Sequence, residues 1–210
     1  MPQRTEQVEA ITGIDRARKY AEEEKRYTRL MFGPLLKDVK KLKLSGKCLE
    51  VGAGPGLLAI AVAQDNPDVR ITAVDISQDM ISVADEYIQA NGFQDRIHCR
   101  LVDAADREGL AQLGKFDLVY STFSLHHWKD PVKSISNLWY SVKDGGVLYI
   151  YDFRRVAWLK LLPFGDGDIA SIKASYTKSE VDIFMQQAGI TDYHIKLVFP
   201  FFIQSAVARK

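Results

Sequence analysis

Cysteine is scarce in this chain, with two in 210 residues. That is too few for a small disulfide-stapled scaffold, and neither Cys48 nor Cys99 has the Cys or His spacing of a metal site. Both sit at or inside strands expected to be buried, where a small thiol packs well, so no metal is expected. Long hydrophobic runs are missing too. No segment approaches the roughly 20 apolar residues of a membrane span, and the polar start Met1-Pro2-Gln3-Arg4-Thr5-Glu6 lacks the apolar core of a secretory leader. A soluble cytoplasmic protein with no membrane partner is the expectation. Charge of one sign is absent as well: 28 basic and 27 acidic residues are mixed along the chain for a net charge of +1, without a polybasic block. Nucleic acid is therefore not an expected partner. There is no internal repeat and no low-complexity segment. What remains is a 47% hydrophobic chain of a length that builds a single domain around one sizeable core.

The pattern divides that domain into three parts. Residues 1–45 read as an N-terminal helical cap. Val8, Ile11, Ile14, Ala17 and Tyr20/Ala21 are loosely spaced by three or four in one or two helices over 5–26, with a further helix from Tyr27 bearing Leu30, Met31, Leu35, Val39 and Leu42. Gly33-Pro34 is expected to break or restart this second helix. Residues 46–152 alternate strands and helices, with strands at Cys48–Val51, Val69–Val74, Arg96–Val102, Phe116–Tyr120 and Val147–Tyr151. Ser77 is placed to cap a helix running to Asn91, and Asp130-Pro131 another that stops near Gly145. Continuous apolar strands joined through helices form a parallel sheet covered on both faces, an α/β doubly wound fold. Residues 153–210 hold a substrate-side segment, a helix after the capping box Thr177-Lys178-Ser179-Glu180, and two closing strands at Tyr193–Val198 and Phe201–Ala208. Only Phe199-Pro200 separates these strands, so they pair antiparallel.

The chemistry is expected at Leu49-Glu50-Val51-Gly52-Ala53-Gly54-Pro55-Gly56-Leu57. Alternate glycines let a ligand lie on the main chain, and the following Leu57–Ala63 helix points its first free N–H groups back at the loop. A carboxylate or phosphate is favoured there. Leucine at 57 breaks the Gly-x-Gly-x-x-Gly nicotinamide fingerprint. Asp75 closes the next strand about 20 residues on, where a carboxylate accepts from ribose hydroxyls.

This Glu-x-Gly-x-Gly-x-Gly string resembles motif I of the class I S-adenosylmethionine-dependent methyltransferases. Phe116-Asp117-Leu118-Val119-Tyr120-Ser121 matches that family's fourth strand, and Val142-Lys143-Asp144-Gly145-Gly146-Val147-Leu148 the turn before its fifth. Leu125-His126-His127-Trp128 followed by Asp130-Pro131 resembles the small-molecule branch called type 11. The resemblance covers half of the chain. It implies a Rossmann-like, seven-stranded, mostly parallel sheet in the order 3-2-1-4-5-7-6 with the last strand antiparallel. It implies S-adenosyl-L-methionine as cofactor, with Glu50, Gly52, Ala53, Gly54, Gly56, Asp75, Ile76, Met80, Asp103, Ala104 and Ser121 around it. Glu50 would lie near the methionine amino group, and Asp103 near the adenine amino group. Asp106 competes with Asp103, either serving equally as an N-cap, and Ile76 and Met80 read equally as plain core.

His126 or His127 falls where the fourth strand meets the substrate side, and either suits a general base if the acceptor needs one; the other reading is a packing signature of the loop. Tyr151, Asp152, Arg154 and Arg155 leave the fifth strand on the same edge, the Arg pair serving an anionic substrate or a solvated surface. Trp158–Phe164 either roofs the pocket or forms a homodimer patch. The fourth strand lacks the Asn/Asp-Pro-Pro-aromatic motif of nucleic-acid amino methyltransferases, and the chain lacks the cysteines of arsenite methylation. The expected activity is methyl transfer to a small-molecule acceptor whose reacting atom stays open. A nicotinamide oxidoreductase and a catalytically silent methyltransferase-like interaction module are the rivals.

Overall fold

Apolar runs too short for helices and bounded by glycine, proline and acidic turns become strands whose alternate residues feed opposite faces. The computed structural model describes residues 4–5, 10–42, 46–157, 166–199 and 201–210. Its strands are β1 (Gly46–Val51), β2 (Val69–Asp75), β3 (Ile97–Leu101), β4 (Phe116–Thr122), β5 (Val142–Phe153), β6 (Tyr193–Val198) and β7 (Ile203–Arg209). They make one sheet in the order β3-β2-β1-β4-β5-β7-β6, with β7 antiparallel to both of its neighbours. The register sets Glu50 of β1 between Ala73 of β2 and Tyr120 of β4.

Cys48, Ile71 and Leu118 point to a core shared with α1 (Ile14–Lys41), α2 (Leu57–Asp65) and α3 (Gln78–Ala90). Leu49, Val74 and Val119, one residue along, point to the opposite core with α4 (Arg107–Gln112), α5 (Pro131–Ser141) and α7 (Lys178–Gln187). The sheet is thus covered on both faces, as a doubly wound fold requires. Both cysteines are free and buried, and burial pushes the Cys48 thiol up to about 12. Among the described residues no helix is long and apolar enough to cross a membrane.

Several local expectations are corrected. Among its described residues the N-terminal cap holds one helix, not two or three: α1 runs unbroken through Gly33-Pro34. Pro34 removes one intrahelical donor, but Ala17, Ala21, Thr28, Phe32, Leu35 and Val39 form a continuous buried stripe on both sides of it. Burial of that stripe outweighs one lost bond. Leu30, expected on the apolar face, is instead 77% exposed. α5 stops at Ser141, and Gly145-Gly146 lie within β5, not at a helix end. The stretch with no legible pattern contains α6 (Asp166–Ala174). The Trp158–Phe164 roof or dimer patch lies outside the described residues.

The capping box before α7 forms as expected. The Thr177 Oγ1 accepts from the Glu180 N–H at 3.3 Å while the Thr177 N–H donates to Glu180 Oε2 at 2.7 Å. Glu180 also takes a bidentate bond from the buried guanidinium of Arg155, at 2.7 and 2.8 Å. Thr177→Ala is expected to remove about 1 kcal/mol, lowering the melting temperature by about 2–4 °C in a chain of this size. Thermal denaturation checks this, and an unchanged midpoint would take the box out of the stability account.

Candidate active site

Adjacent β1 and β4 send their following segments to opposite faces of the sheet. β1 leads into α2, and β4 leads through a single 3-10 turn, Leu125–His127, into α5. A crevice opens at the carboxyl ends of the strands between them, the place where open α/β sheets bind ligands. A cavity of about 1850 Å³ occupies it, extending from Asp103 after β3 to Phe202 beyond β6. Pockets for one drug-sized ligand are roughly 300–1,000 Å³. This one is larger than that range.

The end under β1 and β2 is built from the glycine loop. Gly52 has φ +73°, and a Cβ there would come within 2.2 Å of the Ser124 hydroxyl oxygen, so a side chain is excluded twice over. The Gly52 and Ala53 N–H groups both donate to the Val74 carbonyl, at 2.9 and 3.0 Å. Gly54 N–H donates to one Asp75 oxygen at 2.8 Å, and Ser77 N–H to the other at 2.9 Å. Asp75 therefore caps a turn and also faces the cavity, since each carboxylate oxygen keeps accepting capacity beyond its one backbone donor.

Three carboxyl groups meet here. Glu50, 1% exposed, accepts from the Tyr120 hydroxyl at 3.0 Å. Burial pushes it up to about 8, against the lowering effect of Tyr120, with the charges of Glu24 and Asp75 adding to the rise. Glu24 of α1 is raised to about 7, again chiefly by burial, with a Tyr20 hydrogen bond opposing and Asp75 assisting. Asp75 is raised by burial, against bonds from Ser77, Gly54 and Ile76. No cation in the described ion pairs neutralises this cluster.

The end under β4 and β5 is different. His126, 1% exposed, is bonded twice to Asp152: its Nδ1 lies 2.8 Å from Oδ1, and its backbone N–H donates to Oδ2 at 2.9 Å. An ionised carboxylate only accepts, so Nδ1 carries the proton and the Nε2 lone pair lies on the far edge of the ring. That Nε2 is buried without a hydrogen-bond partner among the described residues, in a side chain that lines the cavity. Phe123 beside it holds φ +47°, a strained value for a bulky residue, fixed by its N–H bond to the Tyr151 carbonyl at 2.8 Å. Its ring packs 4.4 Å from Phe153 and 5.4 Å from both Phe32 and Tyr151.

Residues 49–148 match the family model described as "Methyltransferase domain". The core matches a methyltransferase domain in sequence, and the sheet has the Rossmann-like methyltransferase fold. The chain is 35% identical over 111 residues to an uncharacterised protein of Synechococcus, covering 52% of this chain and 26% of that one. It is 31% identical over 117 residues to a ubiquinone biosynthesis O-methyltransferase of Coxiella burnetii, covering 55% and 47%. A ribosomal RNA small subunit methyltransferase C of Shewanella halifaxensis is 28% identical over 145 residues, covering 64% and 40%. The chain thus spans half or less of the length of these curated relatives. The crystal structure of a proposed S-adenosyl-L-methionine-dependent methyltransferase from Methanococcus maripaludis superposes with a TM-score of 0.73 at 19% identity, covering 97% of both chains.

Within this methyltransferase domain, Glu50, Gly52, Ala53, Gly54, Asp75, Ile76, Met80, Asp103, Ala104, His126 and His127 line one cavity. Gly56 and Ser121 do not. Gly56 is the left-handed N-cap of α2, and a Cβ there would lie 3.1 Å from the Ala84 Cβ, so it serves close packing on α3. Ser121 donates to the Val51 carbonyl at 2.8 Å and ties β4 to β1. Asp106 caps α4 by accepting from Gly109 N–H at 3.0 Å, which leaves Asp103 as the cavity-lining acid of the two. Neither Arg lines the cavity: Arg155 is buried on Glu180, and the half-exposed Arg154 donates to the Phe201 carbonyl at 3.0 Å.

Sequence reading missed three contributors. Glu24 looked like one charge of a solvated face, and its place above Gly54 is set by the path of α1. Asp152 had no visible link to His126, 26 residues earlier. Arg4 donates to the carbonyls of His126 at 2.9 Å and Ala174 at 2.7 Å and stacks 4.4 Å over Tyr176. The Ile11 carbonyl accepts from Ser77 at 2.6 Å, so the two described ends of this N-terminal stretch are fastened to opposite ends of the cavity. No sequence motif announces these contacts.

The raised Glu50 carboxyl has a consequence for stability. The folded chain holds this proton up to about pH 8, the unfolded chain only to about 4.5. Stability from this group is thus full at low pH and is lost as pH climbs through that window. Glu50→Gln is expected to leave the ligand-free melting temperature nearly unchanged at pH 5. At pH 8.5 it should raise stability by about 1–3 kcal/mol, the scale of a buried charge left without a partner. Melting curves at both pH values check this, and equal effects at the two would remove Glu50 from the titration.

Proposed function

We propose that this methyltransferase domain moves the methyl group of S-adenosyl-L-methionine to a hydroxyl oxygen of a small molecule, with His126 as general base. The observation that carries the reading is the His126–Asp152 pair, which lines the same cavity as the glycine loop. The chain's residues fit the cofactor. Asp75 has accepting capacity for ribose hydroxyls beside a loop where side chains are excluded. Asp103 lies at the β3 end of the cavity, where an exocyclic amine can donate to it. Glu50 and Glu24 supply negative charge for an ammonium group, and a cation arriving between them favours their ionised forms.

When bound, S-adenosylmethionine supplies a methyl carbon on a positively charged sulfur, and the S–C electron pair returns to sulfur as the new bond forms. The protein's own work is to orient, deprotonate and exclude water. Asp152 fixes the His126 tautomer and ring angle, so that Nε2 takes the hydroxyl proton while the oxygen acquires carbon. His127 packs its ring 4.1 Å from that of His126 and lines the same cavity. The strap through Arg4 holds the His126 backbone from outside the cavity. A small acceptor is supported by the balanced charge of the chain, which offers little to a phosphate backbone.

Release of S-adenosylhomocysteine from S-adenosylmethionine, assayed across hydroxyl, amine and thiol acceptors and ribosomal RNA, tests the proposal. Turnover is expected with a small hydroxyl compound. His126→Ala should lower kcat by about 10²–10⁴, and Asp152→Asn should lower it in the same direction, each with S-adenosylhomocysteine affinity held within about twofold. Undiminished turnover in His126→Ala would contradict the role of the base. Transfer to RNA alone, or binding without turnover on any acceptor, would contradict the substrate class, the latter favouring a silent interaction module.

A further inference from the structure

The turn that carries His126 is short, and its geometry leaves one carbonyl over. Inside the turn the Ser124 and Leu125 carbonyls accept from the N–H groups of His127 and Trp128, at 2.9 and 3.2 Å. The His126 carbonyl instead accepts from Arg4 Nη2 at 2.9 Å, across 122 residues of chain. α6 meets the same need at its end, since the last carbonyls of a helix have no partner within it. Arg4 Nε donates to the Ala174 carbonyl at 2.7 Å, and the Thr5 N–H donates to that of Lys173 at 3.3 Å. One guanidinium thus bridges the carbonyl ends of two helical turns, where the partial charge is negative and a cation is favoured. Its central carbon lies 4.4 Å from the centre of the Tyr176 ring, a stacking contact that holds the fork in place.

Both partners of Arg4 bear on the cavity, although Arg4 is not among the residues that line it. α6 lines it with Ser171 and the fully buried Ile172. The turn lines it with His126, whose backbone N–H and ring Nδ1 are both bonded to Asp152. Those two bonds leave the residue free to rock about one carboxylate, and a third point at the carbonyl removes that freedom. Just past α6, the Ser175 carbonyl accepts from Arg155 Nη1 at 3.0 Å, and Arg155 is buried on Glu180. Arg155 therefore ties this end of α6 to the scaffold, and Arg4 ties it to the base.

We propose that Arg4 is a positioning residue for methyl transfer. By bridging α6 and the His126 turn, it fixes the cavity wall and the Nε2 lone pair relative to each other. A lysine carries the charge but lacks the planar fork, so it replaces one of the two side-chain bonds and not both. The glycine-loop end of the cavity is built from other segments, so ligand binding there is independent of Arg4. This inference rests on the proposed role of His126.

The test reads the His126 ring by proton NMR in protein saturated with S-adenosylhomocysteine, the Nδ1 proton shared with Asp152 being assigned by its loss in Asp152→Asn. In Arg4→Ala its exchange with water is expected to quicken about tenfold or more, the sign of a local opening. The amides of Leu49 and Val119 in the central strands should exchange as in the unsubstituted protein. Arg4→Lys should give an intermediate rate, and millimolar methylguanidinium should slow exchange again in Arg4→Ala. Arg18→Ala, which loses only an exposed pair with Glu86, should change nothing. In the S-adenosylhomocysteine-release assay, kcat of Arg4→Ala should fall about 10- to 100-fold, the scale of a misplaced catalytic group. The KM for S-adenosylmethionine should hold within about twofold. An unmoved Nδ1 signal, an undiminished kcat, or strand amides that lose protection to the same degree would each overturn the positioning role alone. Failure to bind S-adenosylhomocysteine would overturn the function reading, and this inference with it.

Discussion

The hydrogen bond from Tyr120 to Glu50 joins the two strands on which the whole site depends. β1 and β4 are neighbours in the sheet, and their successors leave to opposite faces, so a crevice at their ends is a matter of topology. Glu50 is set into the floor of that crevice with one phenolic donor and no described cation. A buried carboxyl in that setting weakens the ligand-free fold as pH rises, and a packing role does not account for it. It is intelligible as half of an interaction whose other half arrives from solution. Glu24 and Asp75, raised in the same direction for the same reason, belong to the same unfinished arrangement.

Two layers divide the labour around this floor. The matched core, residues 49–148, supplies the loop, the acids at the ends of β1 to β3, and His126. Segments outside it supply what encloses and differentiates the site. α1 brings Glu24 to one end, and at the other it brings Phe32 against Phe123 and accepts the Tyr151 hydroxyl at the Met31 carbonyl, 2.9 Å away. β5 brings Asp152 behind His126 just beyond the matched residues. The closing hairpin brings Phe199 and Phe202. A family-matched floor under a locally assembled roof is how one fold hosts many functions.

The legible part of this protein was local. Strand order came with the family resemblance, and the glycine-loop end of the cavity could be read because Gly52, Gly54 and Asp75 lie within 24 residues and their geometry follows from backbone constraint and spacing. The α7 capping box could be read for the same reason. Illegible features depended on distance in sequence. Nothing at Glu24 or Arg4 distinguishes them from a solvated charge until the path of the chain is known. The Asp152 partner of His126 lies on another strand. Gly56 and Ser121 stand at motif positions, and their packing on α3 and strand-tying roles are tertiary facts that the motif does not announce. Pro34 misled because a helix breaker is a local signal, and the buried stripe across it is a tertiary one.

The central claim is that the crevice is an S-adenosyl cofactor site and not a dinucleotide site. Calorimetric titration of the ligand-free protein with S-adenosylhomocysteine and, separately, with NAD addresses it most directly. The account requires saturable one-to-one binding of S-adenosylhomocysteine, lost or strongly weakened in Asp75→Ala, and no saturable binding of NAD. Saturable binding of NAD with none of S-adenosylhomocysteine would contradict it.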